Sequence, residues 1–403
     1  MEFGNQKSPF NKEQLMPQEE TLEIYSSKNS FSIGIIKESD TNENRIPLSP
    51  LGVELLIDEG FHVFVERGAG DGANFSDVQY SEVGAQIVDT KKEVFRADIL
   101  LKISSFTDNE IELLKKDQLI FSTINIHSLD KEYIQKLINK RVTALSYELL
   151  KDEADCFPIV RAMSEIAGST SILIAAEILS STEGGKGEML GGVAGVKPTE
   201  ITIIGAGTAG ESAARTAIGL GANVKIFDES VNRLRRIQAN LGQKVYTTVL
   251  KDKLISNAAL SSDVIIGAYR SSKNYKYFIS EEVVKRMKPN SVIIDIGIDN
   301  GGVFETSKLT THKNSTFVKH NVIHYCVPNI PSRVARTATY SISNILAQIV
   351  AEFAASGNVN TVIRNNNGIR NGIYIFKGIL TNENIGNSVG LPSKDIELLM
   401  AAF

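Results

Sequence analysis

After a polar opening, the chain alternates short apolar runs with longer stretches of helical spacing, a rhythm that predicts strands joined by helical crossovers. The first thirty residues are rich in Asn, Gln, Lys and Glu without apolar periodicity and are expected to form a mobile tail. The pattern starts at "FSIGIIKES", where Phe31 to Ile36 predicts a buried strand. "SPLGVELLIDEG" follows with helical spacing through Val53, Leu56 and Ile57 and a stop at Gly60. "FHVFVE", "AQIV", "ADILLKIS", "QLIFSTINI" and "VTALSYELL" continue the alternation. Elements of this size in this order imply parallel strands with helical crossovers.

"MSEIAGSTSILIAAEILSS" predicts a long apolar helix able to bridge two domains, and the glycine-dense "TEGGKGEMLGGVAGVKP" after it predicts a loop. A second series of strands is expected at "ITII", "NVKIF", "SDVIIGA", "SVIIDIGID" and "VIHYCVPNIP". "ATYSISNILAQIVAEFAAS" predicts a second long helix that returns the chain to its first part. The fold class expected is α/β: two Rossmann-like, doubly wound parallel-sheet domains linked by long helices, with a cleft between them. The expected division is a tail at 1–30, a discontinuous domain of 31–160 plus 338–403, and an inserted domain of 161–337. "THKNSTFVKHNVIHY" is expected to be a loop feeding a strand, and "NNNGIRNGIYIF" a turn and then a strand.

Composition narrows the function classes. A chain of 403 residues, 42% hydrophobic and 22% charged, is long enough for two or three domains with their own cores. A net charge of -4 gives no bulk attraction to phosphate backbones or anionic lipid, so nucleic acid and membrane partners are not expected. Cys156 and Cys326 are far apart and lack metal spacing, which suggests neither disulfides nor a zinc site and fits a reducing cytoplasm. The spacings between His312, His320 and His324 likewise give no metal expectation. The start lacks the apolar core of a signal peptide, and no run of about eighteen apolar residues predicts a span.

The chemistry enters at "ITIIGAGTAGESAARTAIGLGANVKIFDES". Gly205, Gly207 and Gly210 stand at G-x-G-x-x-G between a strand and a segment of helix formers. Such glycines serve a tight turn, close approach of the backbone to a pyrophosphate, and close helix–strand packing, while the helix start offers free N–H groups to phosphate. Asp228 ends the next strand about twenty residues on, where a carboxylate accepts the ribose hydroxyls, so the motif predicts NAD rather than NADP. Arg233, Arg235 and Arg236 follow closely, and an arginine there is the feature that accommodates a 2′-phosphate. In "KESDTNENRIPLSP", Arg45 follows the first strand and offers a planar guanidinium for bidentate capture of a small carboxylate.

Six blocks, "KESDTNENRIPLSP", "RAMSEIAGSTS", "GGKGEMLGGVAGV", "ITIIGAGTAGESAARTAIGLGANVKIFD", "IIDIGIDNGGVFE" and "VIHYCVPNIPSRVARTATY", occur in one order over about residues 31 to 350. Together they resemble alanine dehydrogenase, in the family shared with the nucleotide-binding subunit of nicotinamide nucleotide transhydrogenase. The resemblance implies NAD-dependent oxidative deamination of L-alanine to pyruvate and ammonium, by a cytoplasmic homo-oligomer, commonly a hexamer. It makes the discontinuous domain the substrate domain and the inserted one the NAD-binding domain. It places Arg45 on the substrate carboxylate and Asp299 near the reacting centre. It also puts Ser164, Gly205, Gly207, Gly210, Asp228 and Asn329 on the cofactor.

The chain departs from the family at two positions: Ser104 stands where members carry a lysine, and Asn125 where they carry a histidine. Loss of one positioned acid or base typically costs about 10²–10⁴ in rate. Lys102 and His127 each lie two residues from a replaced position and, on a strand, share its face, so both are candidate catalytic substitutes beside Asp299. The alternatives are a dehydrogenase for another small amino or oxo acid, and a non-catalytic NAD-binding relative of the transhydrogenase subunit.

Overall fold

The computed structural model describes residues 31–124, 129–269 and 278–402. Six strands lead the chain: β1 (Ser32–Ile35), β2 (His62–Glu66), β3 (Gln86–Val88), β4 (Ile99–Leu101), β5 (Leu119–Ser122) and β6 (Thr143–Ser146). Seven follow: β7 (Glu200–Ile204), β8 (Asn223–Asp228), β9 (Tyr246–Val249), β10 (Val264–Gly267), β11 (Val292–Asp295), β12 (Thr316–Lys319) and β13 (Val322–Tyr325). Near the C-terminus come β14 (Ile373–Phe376) and β15 (Ile379–Leu380). They form two sheets, of order β15-β14-β6-β5-β4-β1-β2-β3 and β12-β13-β11-β10-β7-β8-β9. In each sheet the early strands build outward on one side, and the chain then returns to build on the other. The direction reverses between β1 and β4 in the first sheet and between β7 and β10 in the second. Ligands of open α/β sheets bind at such reversals, beyond the carboxyl ends of the strands.

The strands are apolar on both faces because both faces are covered. Successive residues of one strand point to opposite faces. Ile33, Ile35, Ile99 and Leu101 therefore pack with Val53, Leu56, Ile342 and Leu346. Leu100, Ile120 and Ala144 pack instead with Val94, Ile134 and Leu137.

Two strands correct the all-parallel expectation. β12 runs antiparallel to β13, and β14 antiparallel to β6 and β15. The segment expected to be a loop feeding a strand is thus a hairpin, turning at His320 and Asn321, whose φ values of 55° and 57° suit a two-residue turn of the primed kind. Asn accepts that conformation readily, but His is an unusual host, which hid the turn in the sequence. The last strands extend the edge of the first sheet.

Ser49 caps the helix Pro50–Asp58, accepting from the Gly52 amide. The long helices lie at Pro158–Ile178 and Ala335–Ser356, between the stretches that supply the two sheets. The first is long and apolar enough to cross a bilayer by length and composition. Its Ala167, Ile172 and Ala175 nevertheless belong to the core of the second sheet, packed with Ala213, Ala214 and Ala217.

Candidate active site

At the reversal of the second sheet, the chain leaves β7 through Gly205. Gly205 has φ +107°, and a Cβ there would stand 2.4 Å from the Ala268 carbonyl oxygen. Gly210 lies so close to the turn that its Cβ would be 1.8 Å from the Gly205 carbonyl oxygen, so helix and strand meet only without a side chain. Among the described residues, nothing stands within 4 Å of a Cβ built on Gly207. Gly207 is also the N-cap of the helix Thr208–Gly219 and provides no side-chain cap, which leaves first-turn amides available to phosphate. Asp228 is buried; its Oδ2 accepts from the Ala206 amide at 2.7 Å and its Oδ1 from the Ser230 amide at 2.8 Å. A carboxylate has about four acceptor sites, so two amides leave room for ribose hydroxyls. Of the three arginines, Arg236 donates to the Ala206 carbonyl at 3.0 Å, Arg233 lies 3.7 Å from Asp228, and Arg235 meets Asn232. The open space over Gly207, the uncapped helix start and the buried carboxylate fit a dinucleotide.

Beyond β11, Asp295 orders the next turn, accepting from the Val303 amide at 2.9 Å and the Ser307 hydroxyl at 2.7 Å; burial pushes its carboxyl up to about 6. That turn carries Asp299, which is exposed and accepts from the Asn300 amide group at 3.1 Å.

The reversal of the first sheet is built from charge. β1 and β4 are neighbours in register, Ile35 beside Leu101, so Glu38 and Ser104 are each three residues beyond a matched pair. The Ser104 hydroxyl donates to Glu38 Oε2, and the Ile103 amide donates to Oε1 at 2.6 Å. Burial pushes the Glu38 carboxyl up to about 7, against the pull of Lys102 and the Ser104 hydrogen bond. Arg45 is buried and gripped by Glu43 through Nε at 2.8 Å and Nη2 at 2.6 Å, while its Nη1 faces the Met163 sulfur at 3.3 Å. Glu43 also accepts from the Asn329 side-chain amide at 2.7 Å. Nearby, the Asn44 amide donates to the Ser332 hydroxyl, which donates to the Asn42 carbonyl. The "TNENR" loop of the first sheet is therefore stapled to the "NIPS" turn that follows β13.

Two domain models match the chain: "Alanine dehydrogenase/PNT, N-terminal domain" over residues 34–167 and "Alanine dehydrogenase/PNT, C-terminal domain" over residues 171–383. The chain belongs to the alanine dehydrogenase/PNT family. It is 38% identical over 364 residues to an alanine dehydrogenase of Methanococcus maripaludis, covering 89% of this chain and 97% of the relative. It is 37% identical over 369 residues to alanine dehydrogenase 2 of Staphylococcus aureus strain USA300, covering 91% and 99%. A solved L-alanine dehydrogenase superposes with a TM-score of 0.83 at 32% identity over 89% of this chain and 98% of its own. A transhydrogenase from Sinorhizobium meliloti shares the fold at 22% identity, with a TM-score of 0.74 over 87% of this chain and 99% of that one.

Within this family frame, the remaining expected residues fall in different settings. Lys102 is fully buried and ion-paired with Glu110 at 2.6 Å, with a further bond to the Ser105 carbonyl. His127, with Asn125, lies outside the described residues. Ser164 donates to the Val160 carbonyl one turn back on its helix. Glu148 accepts from the Ile124 amide at 2.6 Å. The three late histidines go separate ways: His320 meets Glu281, His324 meets Thr306, and His312 keeps a buried Nε2 without a hydrogen-bond partner among the described residues. Burial lowers the pKa of His312, whose surroundings include Asn329, Arg333, Glu43 and Arg45.

Sequence reasoning passed over Glu38 and Glu43, and weighed His312 only as a metal ligand. Glu38 and Glu43 sit inside a block whose arginine drew attention first, and no local spacing links them to Ser104 or Asn329.

Proposed function

We propose that the protein is an NAD-dependent dehydrogenase that interconverts L-alanine and water with pyruvate and ammonium. The observation that carries this reading is Glu43, whose carboxylate grips both the Arg45 guanidinium and the Asn329 amide. The arginine at the crevice of one sheet thereby stands beside a residue from the last strands of the other. In this reading residues 31–160 with 338–403 form the substrate domain and 161–337 the NAD-binding domain, with substrate held in the cleft. Arg45 receives the substrate carboxylate through the guanidinium edge that Glu43 leaves free, and Glu43 holds that guanidinium in place. Gly205, Gly207 and Gly210 cradle the pyrophosphate, Asp228 takes the adenosine ribose, Asn329 stands beside the nicotinamide, and Ser164 also contacts the cofactor. When bound, NAD supplies a hydride acceptor at nicotinamide C4. Asp299 closes the reacting centre from the second sheet. The protein works as a cytoplasmic homo-oligomer, with the hexamer as the family's common form.

The test is turnover by the full chain. L-alanine with NAD is expected to yield NADH, and pyruvate with ammonium is expected to consume it. NAD is expected to outperform NADP by at least about tenfold, because Asp228 repels a 2′-phosphate. Faster turnover of another small amino or oxo acid would shift the substrate assignment. NAD binding without turnover of any such acid would refute the enzyme reading.

A further inference from the structure

We propose that Glu38 is the proton-transfer group of this site and does the acid–base work expected of the absent lysine and histidine, an assignment that rests on the dehydrogenase reading above. Three observations support it. Glu38 lies at the carboxyl end of β1, at the reversal point of the first sheet, where a ligand of an α/β sheet meets the protein. Its carboxylate is held by the very residue that replaces the family's lysine: the Ser104 hydroxyl and amide, with the Ile103 amide, are its donors. Those donors fix the carboxylate without filling both oxygens, so acceptor capacity remains for a substrate proton. Finally, Glu38 is near enough to Arg45 to act on its charge, which puts it beside the substrate's anchor.

Among the described residues, the rival groups are committed elsewhere or differently placed. Lys102 spends its ammonium on Glu110. Asp299 is exposed on the second sheet's side. The charged and titratable groups that act on Glu38 are Lys102, Glu43, Arg45 and the buried Tyr147. Burial outweighs the opposite charge of Lys102 and leaves the carboxyl titrating about 7, where a group exchanges protons most effectively at neutral pH.

The step balances as follows. The Glu38 carboxylate takes one proton from the substrate ammonium as the α-hydrogen leaves with its electron pair, as hydride to NAD, giving an iminium. That proton passes to solvent. Glu38 next takes a proton from water as the hydroxyl adds to the iminium carbon, and gives it to the amino nitrogen. The hydroxyl proton leaves as the C–N bond breaks and ends on the departing ammonia. Alanine, NAD and water thus become pyruvate, ammonium, NADH and one proton.

The experiment compares wild type, Glu38→Gln and Ser104→Lys. Wild-type kcat/KM for alanine is expected to rise with pH through about 7. Glu38→Gln is expected to bind NAD within about twofold of wild type by calorimetry while losing about 10²–10⁴ in kcat, with KM changed far less. Ser104→Lys places an ammonium beside the carboxylate and is expected to move the rising limb toward acid by about one pH unit or more. A readout independent of turnover is Tm against pH. A carboxyl whose folded pKa of about 7 exceeds its unfolded value of about 4.3 costs stability as pH rises through that window. The wild-type Tm is therefore expected to fall more than that of Glu38→Gln between about pH 5 and about pH 8. A Glu38→Gln protein that turns over within about threefold of wild type overturns the assignment and leaves the dehydrogenase reading intact. A wild type that binds NAD but turns over no acid overturns both.

Discussion

The two crevices of this molecule are made from different materials. The one over the second sheet is a backbone device: Gly205, Gly207 and Gly210 remove side chains, and the start of the helix Thr208–Gly219 presents amides. The one over the first sheet is a side-chain device, with Glu43 paired to Arg45, Glu110 to Lys102, and Glu38 held by the Ser104 hydroxyl. A backbone crevice is fixed by the fold and leaves little to adjust. A crevice of paired charges redistributes when one member changes, and a change at Ser104 passes directly to Glu38, which its hydroxyl holds.

The largest expected effect breaks the charged side at Arg45. Arg45→Ala removes the proposed carboxylate anchor and leaves the buried Glu43 carboxylate without its cationic partner, held by the Asn329 side-chain amide and the backbone amide of residue 45. We expect kcat/KM for alanine to fall by about 10³ or more, with a loss of Tm because an uncompensated buried carboxylate is costly. NAD affinity measured by calorimetry should change little. Arg45→Lys should recover only a small part, since a lysine cannot reproduce the forked contact with Glu43. Unchanged pyruvate affinity in Arg45→Ala would break the comparison, because the anchor would then lie elsewhere.

The backbone side separates more finely. At Gly205 both the φ of +107° and the Ala268 carbonyl 2.4 Å from a Cβ oppose any side chain. Gly205→Ala should therefore lower Tm by several degrees and weaken NAD by about 10²-fold, as a strained position costs about 1–3 kcal/mol even before the clash. At Gly207 a Cβ meets nothing within 4 Å among the described residues. Gly207→Ala should keep its Tm yet lose about tenfold in NAD affinity, because the methyl takes space proposed for the pyrophosphate. Equal NAD affinity in Gly207→Ala and wild type would show that the dinucleotide does not cross this turn.

This difference in materials also explains what the sequence disclosed. Strand runs such as "ITII" and "SVIIDIGID" were legible because both faces of a parallel sheet are buried. The glycine turn was legible because Gly205 and Gly210 stand where no side chain fits, and Arg45 because it lies in the loop that leaves β1. The bond between Glu38 and Ser104 joins residues 66 apart, and that between Glu43 and Asn329 joins residues 286 apart, so no local pattern announces either. Lys102 shows the limit of period-two reasoning. It lies just past the end of β4, where strand alternation no longer dictates direction, and its ammonium is drawn to Glu110. The β12–β13 hairpin was hidden by a histidine at a left-handed turn position.

The smallest expected effect tests that last placement and sharpens the comparison. Burial alone would raise the Glu110 carboxyl, but Lys102 and Lys91 bring it down to about 2. A carboxyl whose folded pKa lies below its unfolded value of about 4.3 adds stability that is complete above that value and is lost as pH falls toward 2. Lys102→Met weakens this pair but leaves Lys91 in place. We therefore expect a loss of about 1–2 kcal/mol at neutral pH, below the usual cost of stranding a buried charge, and a shallower decline of Tm between about pH 5 and about pH 2. Removing the Lys102 charge also lifts a pull that lowers Glu38, so the rising limb of kcat/KM should move to higher pH while its plateau stays within about threefold. A plateau reduced by about 10² with an unchanged Tm would instead make Lys102 a proton-transfer group, and the charged crevice would then have kept one of its family lysines in work.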